Sequence, residues 1–378
     1  MKIVIWTGGA FETWGPGSII NIGIGGSETA AARMADHLGQ LGHDVQIVGR
    51  VVSGRYGKSG GGTVDYQPAD VYVTNPNLLP KIACDVFISS RDPSALRRLN
   101  PNCRLSVLWM HDACVEDFRG DMASYDVIFC LSNWAKDLLM SHHTDVPREK
   151  FLLTRNGIET DLYLRADEDR RDPRAPVKVG TKCFYSSSPD RGLARLLDLW
   201  PRIRQVEACA TLDVFYGFDN WREAARIERN HGLLHLIDYL EHRVESMAGM
   251  GVKNRGRVGQ IALARAQMES TFWLYPTSFR ETSCITAMEA QAAGAYSVTS
   301  RIGALPETLV YGILVGGDGV PDEEYDEIFV DSVRDAFQKP LWARQRMDDA
   351  RRWALRELGW DGVARQWIEL FAGRLGGS

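Results

Sequence analysis

Short apolar runs and longer amphipathic stretches alternate along the chain. The apolar runs of the first half are rich in β-branched and aromatic residues and read KIVIW, DVQIVG, CDVFIS, RLSVLWM, DVIFCLS and KFLLT. Between the first two of them, residues 27 to 41 have the apolar spacing of a helix that buries one face. This alternation predicts a parallel β-sheet covered by helices.

The same alternation begins again near residue 180. Predicted strands KCFYSSS, TLDVFYGF, STFWLYP, AYSVTS and YGILVG are separated by helical patterns, one at 191 to 205 and another through Glu289. Residues 164 to 180 are charged, include proline and have no apolar period, so we expect a linker or surface loop there. The chain therefore repeats one architecture twice.

Length supports a division into two lobes. With 378 residues, of which 44% are apolar, the chain is too long for one ordinary core and suits two domains. We predict an α/β fold with Rossmann-like domains at 1–165 and 175–355, both doubly wound and facing a cleft. A carboxyl-terminal helix at 356–378 should pack on one domain or across both, since its apolar residues recur at helical steps: Trp360, Val363, Trp367 and Phe371.

Charge and cysteine content narrow the function classes. The net charge is -5 and the basic residues are evenly spread, so no nucleic-acid-binding surface is expected. Seven cysteines without a C-x-x-C pair favour buried thiols in a reducing compartment over disulfides or structural zinc. The amino terminus lacks a secretory-signal pattern, and no apolar run is long enough to span a membrane. We expect a soluble cytoplasmic protein, with peripheral attachment to the inner face of a membrane as the alternative.

A glycine pair follows the first predicted strand after an irregular loop. Gly25 and Gly26 precede a helix expected to begin near Ser27 or Glu28, with Ser27 or Thr29 as its cap. Glycines allow close backbone approach, and the unpaired N–H groups of a helix start favour an anion such as phosphate. The alternative is an ordinary glycine turn. A dinucleotide fingerprint is not indicated, because the glycines do not follow the strand directly and the next strand does not end in an acid.

Two glutamates lie in the segment SFRETSCITAMEAQAAG. The preceding strand ends at Pro276, so Glu281 falls in a loop and Glu289 on the next helix, which Thr282 or Ser283 would cap. This spacing would turn ~80° past two full helical turns, so the carboxylates do not form an acid/base pair. An ionised carboxylate accepts hydrogen bonds, so sugar hydroxyls suit Glu281 and a ribose diol suits Glu289, while an anionic diphosphate suits the helix amino terminus between them. The alternative is an acid favoured by the helix dipole and a second acid on a solvated face.

Motifs found in a fixed order identify a resemblance. They are GGSE before a helix, LGHDV, MHD at 110 to 112, LSNWAKDLL at 131 to 139, NGI at 156 to 158, SSPDRGL at 187 to 193, E-x7-E running into EAQAAG, and GALPE at 303 to 307. Together they resemble the retaining glycosyltransferases of the GT-B fold, of the family 4 type, across nearly the whole chain. The resemblance implies transfer of a sugar from a nucleoside-diphosphate sugar to a hydroxyl of a glycan, glycolipid or small glycoside.

The resemblance also implies roles for individual residues. Glu289 would hold the nucleotide ribose, Glu281 would contact and orient the donor sugar, and Arg191 would neutralise the leaving diphosphate. His111 would lie beside the donor sugar with Asp112 orienting it, although a histidine bonded to local backbone is the alternative. The other residues expected at the donor are Gly25, Gly26, Ser187, Thr282, Ser283, Cys284 and Lys253.

The chain departs from the pattern of the resemblance in the SSPDRGL loop. Ser186 stands where a second basic residue is common, so another cation should share the diphosphate charge. The candidates are Lys253, Arg255 and Arg257, for which a solvated cluster is the alternative. No metal or other cofactor is implied, since the D-x-D spacing of Asp167 and Asp169 lies in the charged linker.

Other functions remain open from the sequence. A nucleotide-sugar epimerase, a phosphorylase or a non-catalytic sugar-nucleotide binder could use the same architecture, and a transferase acting on nucleic acid is disfavoured by the even charge. A phosphorylase of the glycogen type would need a pyridoxal-phosphate lysine, which the sequence does not reveal. Phe11 and Trp14 are candidates to stack on an acceptor, with packing under their own loop as the alternative. No oligomeric state is indicated.

Overall fold

The strands and helices that alternate twice along the sequence form two separate, mainly parallel sheets with their helices. A computed structural model describes residues 1–10, 12–69, 81–113, 121–168, 178–317 and 320–376 of the chain. The chain divides into unit 1, made of Met1–Ile19, Ile24–Gly157 and Gly359–Ser378, and unit 2, made of Ile20–Gly23 and Ile158–Leu358. Each unit has its own sheet and its own apolar core.

The secondary structure follows the predicted alternation closely. The strands are β1 (Lys2–Gly8), β2 (Asp44–Gly49), β3 (Gly54–Gly57), β4 (Thr63–Pro68), β5 (Ala83–Ser90), β6 (Asn102–Trp109), β7 (Val127–Cys130), β8 (Phe151–Leu153), β9 (Val179–Tyr185), β10 (Thr211–Phe215), β11 (Val252–Gly256), β12 (Ser270–Tyr275), β13 (Tyr296–Ser300) and β14 (Ile313–Val315). The helices are α1 (Ser18–Asn21), α2 (Gly26–Gln40), α3 (Ala95–Leu99), α4 (Asn133–His142), α5 (Asp161–Glu168), α6 (Leu193–Val206), α7 (Asp219–Ile227), α8 (His231–Ser246), α9 (Gln260–Glu269), α10 (Ile285–Ala292), α11 (Leu305–Thr308), α12 (Asp322–Gln338), α13 (Pro340–Glu357) and α14 (Trp360–Gly376).

Unit 1 is built on strands that are buried on both faces. Its sheet, as far as the structure describes it, has eight strands in the order β3-β4-β2-β1-β5-β6-β7-β8. All neighbouring pairs are parallel except the edge strand β3, which runs antiparallel to β4. The strand order changes direction between β1 and β5, and ligands of doubly wound sheets bind beyond the carboxyl ends of the strands at such a point.

Unit 2 has the strand order of a doubly wound nucleotide-binding sheet. Within the described residues its six strands run β11-β10-β9-β12-β13-β14, all parallel. The order changes direction between β9 and β12, where Phe184 lies in register with Trp273. The loops that leave these two strands therefore lie side by side at the carboxyl edge.

The carboxyl-terminal helix α14 belongs to unit 1. The ring of Trp367 lies 4.7 Å from the ring of Trp109 and 4.6 Å from that of Phe129, between ring centres. Its indole Nε1 donates to Thr154 Oγ1 over 2.7 Å. The predicted apolar face of this helix thus completes the core of the first sheet, although the chain reaches it only after unit 2.

Several details differ from the sequence predictions. Strands β3, β4 and β11 were not predicted, because β3 and β11 are largely exposed and β4 carries a polar residue at every second position. Helix α5 occupies the start of the predicted linker and belongs to unit 2, while residues 169–177, including Asp169, lie outside the described part of the chain.

Trp14, one of the two aromatic candidates for acceptor stacking, is buried. Trp14 is only 1% exposed and packs edge-on against Tyr66 with 5.6 Å between ring centres. It therefore belongs to the core of unit 1, as the alternative interpretation expected, and Phe11 lies outside the described residues.

Three further observations concern the described residues. None of their helices combines the length and apolar character needed to cross a bilayer. Their six cysteines are free thiols, and no group of three or more His, Cys, Asp or Glu side chains among them is placed to hold a metal ion.

Candidate functional site

The candidate site of unit 2 lies where its sheet changes direction. The loop after β9 carries Arg191, and the loop after β12 carries Glu281. Arg191 Nη1 lies 3.3 Å from Glu281 Oε1 and 3.4 Å from Oε2. The guanidinium also lies 4.0 Å from the ring centre of Phe279. Two of the residues expected at the donor from the resemblance are therefore in direct contact.

Glu281 is held by a set of defined partners. It is only 6% exposed, and Tyr275 Oη donates to Oε1 over 2.7 Å. Its backbone carbonyl accepts from Ala304 N over 2.8 Å, in the GALPE segment. Burial, reinforced by the Glu281 carboxylate, raises the pKa of Tyr275, so this phenol stays protonated and acts as a donor. The carboxylate is thus fixed between a phenol and a guanidinium.

Gly192 allows the two loops to approach each other. Its φ of 108° lies in the left-handed region, and a Cβ atom at this position would be 2.4 Å from the carbonyl oxygen of Pro276. Only glycine meets both conditions without displacing the backbone of the second loop. The glycine next to Arg191 is therefore a structural requirement of the contact between Arg191 and Glu281.

Three buried polar atoms at these loops lack a hydrogen-bond partner among the described residues. They are Ser186 Oγ, Arg191 Nε and Ser283 Oγ. Ser186 and Ser283 are 7% and 8% exposed. Buried polar groups in folded proteins are nearly always satisfied. These three belong to the two loops that leave β9 and β12, at the edge where doubly wound sheets bind their ligands, so they are candidate ligand-binding groups.

Helix α10 begins beside these atoms. Its amino-terminal cap is Cys284, without a side-chain hydrogen bond, so the expected caps Thr282 and Ser283 were wrong, although both are buried in the loop before it. Ser187 Oγ lies 3.1 Å from Thr286 Oγ1 and so links the β9 loop to the first turn of α10. The first N–H groups of an α-helix have no acceptor within the helix and attract anions.

Glu289 lies inside unit 2 and not on a solvated face. It is 5% exposed, and its Oε2 accepts from Gln267 Nε2 over 3.0 Å. The Gln267 amide oxygen in turn accepts from Tyr163 Oη over 2.8 Å. This chain of bonds fixes one carboxylate oxygen of Glu289 from α9, so the alternative of an exposed helix residue was wrong.

The three candidate cations of β11 differ sharply in their surroundings. Lys253 is exposed at the second position of the strand, away from the carboxyl edge, so the structure does not bring it to the two loops. Arg255 Nε bonds the buried carboxylate of Asp213 over 2.8 Å, which Lys182 also contacts at 3.1 Å. Arg257 follows the end of the strand directly and lies over the ring of Tyr216 at 5.8 Å.

Unit 1 has a second set of polar residues, at the point where its strand order reverses between β1 and β5. Helix α2 begins at Gly26 with Gly25 as its cap and no side-chain cap, so the expected caps Ser27 and Thr29 were wrong. Ser27 Oγ lies 3.0 Å from Glu28 Oε2 and accepts from Arg91 Nη1 over 3.1 Å. No atom lies within 4 Å of where a Cβ of Gly26 would stand, so the fold itself does not require this glycine.

Arg91 is a site residue that the sequence did not reveal. It follows β5 with φ 67°, an uncommon conformation for a residue other than glycine. Its Nε bonds Asp112 Oδ2 over 2.6 Å and its Nη2 bonds Oδ1 over 3.2 Å. The two-pronged contact orients the Asp112 carboxylate and ties the end of β6 to the start of α2. No motif marks Arg91, and only its place after a predicted strand could have suggested it.

His111 lies between this pair and the core. Its ring centre is 4.4 Å from that of Trp109. Burial and, to a lesser degree, the positive charge of Arg91 lower the pKa of His111, and Asp112 opposes them; together they bring the pKa to about 3. The imidazole is therefore neutral at physiological pH, with one nitrogen that donates and one that accepts.

We predict that Arg91→Gln raises the pKa of His111 from its low value. Loss of a nearby positive charge makes the imidazolium less costly, and the freed Asp112 carboxylate acts in the same direction. Nitrogen-15 NMR of the histidine side chains across a pH titration measures this. Arg97→Gln, which removes an exposed arginine of α3 paired with Asp121, should leave the His111 signal unchanged. An unshifted His111 in Arg91→Gln would show that burial alone sets its pKa.

Two doubly wound domains in one chain, each with its polar groups at the crossover, define the GT-B class of fold. Solved structures of this class align with nearly all of the chain. A glycosyltransferase from Rickettsia africae ESF-5 has a TM-score of 0.66 at 13% identity and covers 100% of this chain and 99% of its own. Sucrose-phosphate synthase from Thermosynechococcus elongatus has a TM-score of 0.70 at 13% identity, with 100% of both chains covered.

A third similar structure is described with a nucleotide sugar. Anabaena Alr3699/HepE in complex with UDP-glucose has a TM-score of 0.64 at 14% identity and covers 98% of this chain and 99% of its own. No protein-family model matches the chain, and no curated protein matches it in sequence. At these identities the likeness establishes the fold, so the predicted α/β, GT-B fold class is confirmed.

Proposed function

We propose that the protein is a glycosyltransferase that moves a sugar from a nucleoside-diphosphate sugar to an acceptor hydroxyl. The observation that carries this proposal is the contact between Arg191 and Glu281 at the point where the strand order of the unit 2 sheet reverses. The same two loops contain three buried polar atoms that have no hydrogen-bond partner among the described residues. Because HepE is described in complex with UDP-glucose, UDP is the first nucleotide to test. None of the three similar structures is described as an epimerase.

The proposed roles follow from charge and position. Arg191 and the first N–H groups of α10 stabilise the diphosphate as the bond between the anomeric carbon and the phosphate oxygen breaks. Glu281, held by Tyr275, accepts hydrogen bonds from donor-sugar hydroxyls, and Glu289 accepts them from the ribose. Stabilisation that is stronger as charge develops on the leaving oxygen accelerates the reaction.

We propose that unit 1 contributes Gly25, Gly26, His111 and Asp112 to the transfer step. The neutral imidazole of His111 can donate a hydrogen bond to a sugar hydroxyl without adding charge, and Arg91 sets the orientation of Asp112. Following the resemblance to retaining enzymes, the acceptor oxygen bonds the anomeric carbon on the face from which the diphosphate leaves. The bond from that carbon to the phosphate oxygen breaks, and the hydroxyl proton of the acceptor passes to the departing phosphate oxygen. The proposal requires no metal or organic cofactor, since cationic and N–H groups of the chain face the leaving group. We further propose that the enzyme acts in the cytoplasm.

Turnover of nucleotide sugars tests this proposal. Purified protein is incubated with UDP-glucose, UDP-galactose, UDP-N-acetylglucosamine, GDP-mannose or ADP-glucose and a panel of hydroxyl acceptors. We expect release of free nucleoside diphosphate from one donor, at a rate that an acceptor raises, and a product whose anomeric proton shows the donor's configuration by NMR. Conversion of a donor into its epimer, or no nucleotide release from any donor, would overturn the proposal. An inverted product would overturn only the retaining mechanism.

A further inference from the structure

The diphosphate site of unit 2 needs more positive charge than Arg191 supplies. This argument rests on the proposed function. Arg191 shares its charge with the Glu281 carboxylate at 3.3 Å, and Ser186 on the same loop is neutral. A diphosphate carries negative charge on both phosphates, and buried anions are stable only when cations or N–H groups compensate them.

Of the three candidate cations in or directly after β11, Arg257 is the one at the carboxyl edge of the sheet. Lys253 stands at the other end of the strand, and Arg255 is already committed to Asp213 at 2.8 Å. Arg257 follows Gly256, the last residue of β11, and so lies at the carboxyl edge of the sheet, as Arg191 does. Ligands of doubly wound sheets bind at this edge.

Tyr216 connects the two arginines. It follows β10, its ring centre lies 5.8 Å from the Arg257 guanidinium carbon, and its N–H donates to Gly256 O over 3.1 Å. Burial raises the pKa of the Tyr216 hydroxyl, and Arg257, Arg191 and Ser188 each oppose that change. Both guanidinium groups therefore lie within electrostatic range of one phenol oxygen, and Ser188 belongs to the Arg191 loop.

The backbone around Arg257 is held in place at uncommon conformations. Tyr216 has φ 97°, which a residue with a side chain adopts only under constraint. A Cβ at Gly217 would stand 3.2 Å from Arg257 N. A Cβ at Gly23, also in unit 2, would stand 2.7 Å from the carbonyl oxygen of Val258 and 3.8 Å from Arg257 Cγ. Gly217 thus lies beside the backbone of Arg257 and Gly23 beside its Cγ, and the Arg257 guanidinium lies over the Tyr216 ring.

We infer that Arg257 is the second cation of the diphosphate site and takes the place of the basic residue that is absent at Ser186. Tyr216 holds its guanidinium toward the Arg191 loop. Arg191, in the loop after β9, and Arg257, directly after β11, then both contact the diphosphate. A nucleoside monophosphate has one phosphate fewer and cannot contact both arginines. Arg257 therefore determines the preference for diphosphates over monophosphates.

Calorimetric titration of matched nucleotides tests this inference. UDP and UMP, with GDP and GMP or ADP and AMP in parallel, are titrated into the wild type and into Arg257→Gln, Lys253→Gln and Arg226→Gln. Arg226 is an exposed arginine of α7 and serves as the inert control. We expect Arg257→Gln to weaken diphosphate binding about 10- to 100-fold and to shrink the preference for diphosphate over monophosphate by at least about tenfold. Arg257→Lys should recover part of that preference.

Each other outcome counts against the inference. Equal losses for diphosphate and monophosphate in Arg257→Gln, or no loss, would assign Arg257 a structural role only. A loss of the preference in Lys253→Gln instead would assign the second cation to Lys253. Failure of the wild type to bind any nucleoside diphosphate would overturn the proposed function and this inference together, whereas the first two results overturn the inference alone.

Discussion

Arg191→Ala should lower kcat for sugar transfer about 10²- to 10³-fold, equivalent to about 2.7–4 kcal/mol of transition-state stabilisation. The reason is that the guanidinium lies against Glu281 and Phe279, where the strand order of the unit 2 sheet reverses and where we propose that the leaving diphosphate gains charge. Steady-state rates of nucleotide release, measured at saturating donor, give this number directly.

Arg195→Ala is the matched control for Arg191→Ala. It removes an arginine of α6, one turn further along, whose partners are Asp322 and Asp326 and whose guanidinium lies 3.9 Å from the ring centre of Tyr325. It should lower stability slightly and leave kcat within about twofold. Arg191→Lys should retain part of the rate, since it keeps the charge but not the planar fork. Equal kcat values for the two alanine variants would remove Arg191 from the mechanism.

Glu289→Gln should weaken binding of the nucleoside diphosphate about 10- to 100-fold and abolish discrimination against its 2′,3′-dideoxy analogue. A carboxylate accepts from two hydroxyls at once, whereas an amide places two donors at one of those positions. The amide oxygen can still accept from Gln267 Nε2, so the bond at 3.0 Å between α9 and α10 need not be lost. Titration calorimetry with both analogues measures the affinities.

Glu327→Gln provides the control for this change. Glu327 is an exposed residue of α12 that pairs with Arg202, and its loss should alter neither affinity. If Glu289→Gln kept the wild-type preference for the ribose diol, Glu289 would have only the structural role that its bond to Gln267 already provides.

The sequence predicted most of the fold because its central strands are buried on both faces. Residues 3–6 of β1 and 272–275 of β12 are apolar without interruption, and the amphipathic periods of α2, α6 and α14 fall where the helices lie. The predictions missed β3, β4 and β11, which have mixed or polar patterns because they lie at or next to the sheet edges. The prediction rested on uninterrupted apolar runs, so it missed strands whose apolar residues are few or alternate with polar ones.

The sequence predicted those candidate residues that lie in a motif directly after a predicted strand. It did not predict contacts that depend on which strands are neighbours in the sheet. Arg191 and Glu281 each follow a predicted strand and carry motif spacing, so the sequence identified both. Arg91 meets Asp112 only because β5 and β6 are neighbours in the sheet, and periodicity does not state which strands pair. The sequence could not place Lys253, Arg255 and Arg257 relative to the other candidate residues for a related reason, since β11 was not predicted and its carboxyl end could not be located.

The central claim is that the loops after β9 and β12 bind a nucleoside diphosphate. Calorimetric titration of the wild-type protein with UDP, GDP, ADP and dTDP, each beside its free nucleoside, tests it most directly. The account predicts that one diphosphate binds with a stoichiometry of about one per chain and far more tightly than its nucleoside, because the diphosphate contributes charge-assisted bonds. Absence of binding by every diphosphate, or equal binding by a nucleoside and its diphosphate, would contradict it.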